Sequence, residues 1–210
     1  MHSESNLLRL IVCISLIALS SCSNTRYLPE GDSLFVGSKV TLKDNEGDKK
    51  YRKILKADLD KAVRPKPNSK VLGMRIKLSI YNLAGDTSKG GFVRNFLRKF
   101  GEPPVLASTL DLTKNQEIMT NIMENRGYFF PKVTSHSTTS KKRTKAYFDV
   151  WTGPQYKIRN VNYPIDSSKI SIDISAIKDK SLLKPGLPYN LDLIKGERDR
   201  IDRSLTDKGY

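Results

Sequence analysis

Asn125-Arg126-Gly127-Tyr128-Phe129 closes a stretch whose apolar residues recur at helical spacing, with Leu112, Met119, Ile122 and Met123 on one face. Gly127 is the stop signal, since glycine accepts the left-handed backbone that ends a helix. The arrangement returns nearer the C-terminus. Leu112, Met119, Met123, Gly127 and Tyr128 are matched by Ile194, Ile201, Leu205, Gly209 and Tyr210 at a constant offset of 82. Leu110-Asp111-Leu112 is echoed by Leu191-Asp192-Leu193 at an offset of 81. Self-similarity at a fixed period is the mark of tandem modules.

Working outward, helices are expected over 110–126 and 191–208, with a weaker one over 168–177. Strands are expected over 128–135, 145–151 and 156–163, with a basic turn at 139–143 and a Gly153-Pro154 turn between the last two. Upstream, Leu34, Val36, Val40 and Leu42 fall at even positions of a strand over 34–43, in which Gly37-Ser38 is a bulge candidate. Leu55, Leu59 and Ala62 or Val63 mark a helix over 51–63, ended by Pro65 and Pro67. Residues 71–83 alternate like a strand and also carry one helical stripe, so periodicity leaves both open. Residues 92–100 read as a basic amphipathic helix, capped by Gly101 and broken by Pro103-Pro104.

The N-terminus is an address. An apolar run from Leu10 to Leu19 is too short to cross a bilayer, which takes about 20 residues, and fits a secretory signal. It ends in Leu19-Ser20-Ser21-Cys22, which resembles a bacterial lipobox. That resemblance implies removal of residues 1–21 and acylation of Cys22, giving near-permanent membrane attachment. Cys13 would leave with the signal, so the exported part carries neither a free thiol nor a disulfide. Ser23, not Asp, follows the Cys, which leans towards the outer membrane.

The ordered set Asn125-Arg126-Gly127-Tyr128-Phe129, Val133, Ala146-Tyr147-Phe148-Asp149-Val150 and Gly153-Pro154-Gln155-Tyr156-Lys157-Ile158 resembles the POTRA (polypeptide-transport-associated) family. Lys184-Pro185-Gly186-Leu187-Pro188-Tyr189 sits where that family carries a Gly and an aromatic before the second helix. With the lipobox, Tyr81-Asn82-Leu83 and Gly101-Glu102-Pro103-Pro104, the chain resembles the lipoprotein form of the translocation-and-assembly-module outer-membrane subunits, in their N-terminal part. The implied fold class is α+β, as tandem β-α-α-β-β modules. The implied organisation is a signal over 1–21, a tether over 22–33, a divergent module over 34–103, a second over 104–153 and an incomplete third over 154–210. The family leans helical for 71–83. Its members continue into a membrane β-barrel, whose alternating strands are not found here, so truncation is expected and barrel-dependent activity is not carried over.

Composition narrows the function classes. There are 37 Lys+Arg against 22 Asp+Glu, a formal net charge of +15. A hydrophobic content of 38 % is too high for a disordered tail and too low for a polytopic membrane protein. Two Cys and two His leave little material for a metal site or a His-based catalytic centre. His136 has no carboxylate nearby, and Lys89-Gly90-Gly91 lacks the spacing of a phosphate loop. Neither an enzyme nor a cofactor is expected. The basic clusters, Lys141-Lys142-Arg143 with Lys145 and Lys61-Arg64-Lys66-Lys70, suit either anionic lipid head groups or the blunting of sheet edges. Nucleic acid is not an expected partner of an exported chain.

The expectation is a lipid-anchored scaffold on the periplasmic face of the outer membrane. It would bind unfolded barrel proteins, or a periplasm-spanning assembly partner, by strand addition. The candidate edge lies in 129–135 or 145–151, with Lys145, Tyr147, Asp149 and Trp151 as site residues. Tyr147 and Trp151 alternate with Phe148, and either aromatic set is equally readable as core. The alternative is an envelope lipoprotein that binds glycan or anionic lipid, or a hydrolase, and it predicts a concave pocket with convergent polar groups.

Overall fold

A computed structural model describes residues 24–44, 48–85, 90–163 and 166–210. The signal and Cys22 lie outside the described residues. The elements are β1 (Leu34–Leu42), α1 (Lys49–Ala62), α2 (Ile76–Leu83), α3 (Phe92–Phe100), α4 (Leu112–Glu124), β2 (Lys132–Ser140), β3 (Arg143–Trp151), α5 (Lys169–Ala176) and α6 (Leu191–Thr206). The fold is α+β, and strand, helix, helix, strand, strand follow one another as β1, α1, α4, β2, β3, with 64–111 intervening between α1 and α4.

The sheet has the order β1-β3-β2. Leu34 N–H bonds Lys142 O and Lys43 N–H bonds Val150 O, so β1 and β3 run parallel. The step is nine residues on β1 against eight on β3, which puts one extra residue in β1. That is the bulge expected at Gly37-Ser38, and Gly37 takes φ +129°. The pairing puts residues 34–42 in the same sheet as 132–151. Sequence separation hid this, because a parallel pair needs a long crossover.

The chain divides into two compact units. One holds 24–37, 64–111 and 137–146, and the other holds 38–63, 112–136 and 147–210. In the second unit α1 and α4 pack together, and Val40, Leu55, Leu59, Met119, Met123, Tyr128, Phe148 and Val150 are its buried core. Asp48 caps α1 by accepting Lys50 N–H at 2.7 Å. Asp44 accepts N–H bonds from Thr152 at 2.5 Å and Gly153 at 3.0 Å, and an Arg52 bond at 3.3 Å. Burial raises the Asp44 pKa, but these donors outweigh it and leave the carboxyl below its usual range.

In the first unit α2 packs on α3, and Leu34, Phe35, Leu78, Ala84 and Ala146 are buried. The helical reading of 71–83 holds for 76–83. Phe35 N–H bonds Val105 O at 2.8 Å and Ala107 N–H bonds Ser33 O at 2.8 Å, so residues 105–107 cover the outer edge of β1 at its start. Asn68 pins that segment, donating to Pro103 O at 2.7 Å and accepting Val105 N–H at 3.0 Å.

The strand expected over 156–163 is not formed. Among the described residues only a single bridge, Lys157 with Pro188, is present there; its backbone partners are Gly127 and the short turn over 186–189, too little for a ladder.

Candidate functional site

The strand order moves the expected site. Lys145, Tyr147, Asp149 and Trp151 lie on β3, the central strand, whose backbone is bonded on both sides. They cannot offer an edge. Thr144, Ala146, Phe148 and Val150 are buried on the helix-covered face, and the four expected residues stand on the other. Asp149 there pairs with Lys43 at 3.1 Å.

The open edge is β2. A two-residue turn joins it to β3, with Lys141 at φ +50° and Lys142 at φ +58°, the mirror-image turn that suits strand twist. The turn fixes the register. Thr139 faces Thr144, their hydroxyl oxygens 2.6 Å apart. His136 stacks on Tyr147 at 5.0 Å and 8°, and Lys132 Nζ lies 5.6 Å from the Trp151 ring centre. The pair flanking such a turn is hydrogen-bonded, and bonding alternates along an antiparallel pair. The backbone groups of Val133, Ser135, Ser137 and Thr139 therefore point away from β3.

Edges that must stay unpaired are blunted by Lys, Pro or bulges. β1 has Lys39 and a bulge. β2 has Lys132 at its start and the Lys141-Lys142 turn at its end, but Val133–Ser140 holds neither Pro, Lys nor Arg. Beside it runs an open groove of about 560 Å³, lined by Thr113, Gln116, Glu117 and Thr120 of α4 with Pro131, Lys132 and Val133. Gln116 Nε2 donates to Ser135 Oγ at 2.6 Å and ties α4 to the strand. The 129–135 half of the sequence expectation thus overlaps the edge, whereas the 145–151 half does not.

A second cavity, about 260 Å³, is lined by Ile54, Leu55, Tyr128, Tyr189 and Leu193, with Arg126 and Gln155. Two of its polar groups are engaged internally. Arg126 pairs with Asp58 at 2.5 Å and Gln155 donates to Arg126 O at 3.0 Å. This is not the convergent polar pocket that an enzyme or glycan-binding reading predicts. Among the described residues no group of three His, Cys, Asp or Glu is placed to hold a metal ion.

No protein-family model matches the chain, and no curated protein matches it. Among solved structures, the crystal structure of Haemophilus influenzae BamA POTRA3-5 is similar at a TM-score of 0.38 and 14 % identity. The likeness covers 85 % of this chain, which spans 57 % of that one.

Proposed function

We propose that the chain is a periplasmic scaffold that binds extended segments of unfolded outer-membrane proteins, or of an assembly partner, by adding them as a strand to β2. One observation carries this reading: an outer strand with four outward-facing residues, no blunting residue in its middle and a groove alongside. Main-chain hydrogen bonds supply affinity in such binding, and the groove takes alternate side chains. Low sequence selectivity suits many clients. The Gly-Tyr repeat and the β-α-α-β-β order support the same reading, and so does the lipobox, which would hold the scaffold at the outer membrane through acylated Cys22.

Photo-crosslinking tests the assignment. A crosslinker at Ser135 or Ser137 is expected to capture an unfolded barrel protein, and one at Lys145 is not. Capture from Lys145 but not from Ser135 would refute the β2 edge.

A further inference from the structure

α3 is built inside out. On a helical wheel Phe92, Phe96, Phe100, Val93 and Leu97 fill one continuous arc, and Arg94, Asn95, Arg98 and Lys99 fill the rest. A surface helix of a globular unit turns such an arc inward. Here Phe92 is 88 % and Val93 68 % exposed, Phe96 and Phe100 are more than half exposed, and Arg94 and Arg98 are half-buried. The rings of Phe96 and Phe100 lie 4.5 Å apart, so the exposed aromatics form a patch. The helix has no acidic residue.

Two further features of the same unit agree. Val71 and Met74 close a tight turn by reciprocal backbone bonds of 2.9 and 3.0 Å. At its tip Leu72 is held at φ +51° and is 92 % exposed. A leucine gains nothing from that conformation within the chain. The N-terminal segment also lies close by: Ser79 of α2 donates to Asn24 at 3.0 Å, and α2 packs on α3.

We propose that α3 is a membrane-interface helix. It lays Phe92, Val93, Phe96 and Phe100 into the head-group boundary of an anionic bilayer, with Lys99, exposed at the margin of the arc, at the phosphates. The sign of the charge and the exposed aromatics select a lipid surface as occupant. The proposal does not rest on the lipid anchor.

The test uses the mature protein with Trp151→Phe, so that one introduced Trp reports. Phe96→Trp, with Phe92→Trp as a second reporter on the same arc, is compared with Asn95→Trp on the polar arc. Vesicles contain brominated phosphatidylcholine with or without phosphatidylglycerol. Quenching is expected at 92 and 96 but not at 95, and it should be strong only with phosphatidylglycerol. Replacing Lys99 by Gln should weaken partition about 5-fold. Cys22→Ser should leave the quenching at 96 in place on added vesicles, which separates α3 from the anchor. Equal quenching on both arcs, or none on either, overturns the proposal; the latter would leave the aromatic arc facing a protein.

Discussion

Gly127 shows at single-residue scale why the Gly-Tyr signature is there. It ends α4 at φ +83°, with Gly127 N–H bonded to Glu124 O and Tyr128 N–H to Met123 O, the double bond of a Schellman cap. Gly209 ends α6 with the same two bonds, from Gly209 to Thr206 and from Tyr210 to Leu205, at φ +86°. The repeat read at an offset of 82 is thus a repeat of cap geometry. The surroundings differ. A Cβ at Gly127 would lie 2.8 Å from Tyr189 Cβ and 3.1 Å from Tyr156 O, while nothing lies within 4 Å at Gly209. Gly127→Ala should therefore cost about 2–4 kcal/mol, strain plus overpacking, and Gly209→Ala only about 1–2 kcal/mol, as read by urea unfolding. The stop was legible in the sequence. The crowding by Tyr189 was not, because it depends on a distant segment folding back. A second residue sets a pH response. Hydrogen bonds from Arg200 hold the Glu197 carboxyl at about 2 against the opposing effect of burial, helped by Leu182 N–H. The unfolded chain then binds more protons than the folded one in acid. Stability from Glu197 should be complete above about pH 4.5 and vanish as the pH falls towards 2, with Asp44 acting in the same direction. Glu197→Gln should flatten that acid limb in a pH series of unfolding curves and cost about 1–3 kcal/mol at neutral pH, since it turns one of the two acceptor oxygens into an NH2 donor facing Arg200 or Leu182 N–H.

Among the elements, β2 and β3 were legible as a hairpin, and the alternation put Phe148 opposite Tyr147 and Trp151 without saying which face is buried. Which strand lies outermost was not legible, because β1 decides it from about a hundred residues away. Tyr147 and Trp151 are outward-facing but central, so the open face misled the choice of edge. Pairing rules make the element testable. A proline on an edge strand is tolerated where its N–H would face outward. Ser135→Pro should keep the fold and weaken client binding about 2- to 10-fold, the worth of one backbone hydrogen bond. His136→Pro should instead break the ladder to β3 and lower the melting temperature. Circular dichroism and a binding titration on both variants check the pair. The 156–163 segment failed as a strand for the same reason in reverse: its β-like sequence finds only Gly127 and a short turn to pair with.

At the scale of the molecule, β1, α1, α4, β2 and β3 follow one another in β-α-α-β-β order, with residues 64–111 between α1 and α4 in the chain. The opening of a second set follows, with the Lys157 bridge, α5 and α6 in order. The topology leaves the backbone edge of β2 as the proposed binding surface. The most direct measurement is an amide chemical-shift titration of the full chain with an extended segment of an unfolded outer-membrane barrel protein. The amides of Val133, Ser135, Ser137 and Thr139 should shift at saturation, while those of Thr134, His136 and Thr138, already bonded to β3, should move far less. Shifts without that alternation, or confined to residues off β2, would contradict strand addition at this edge.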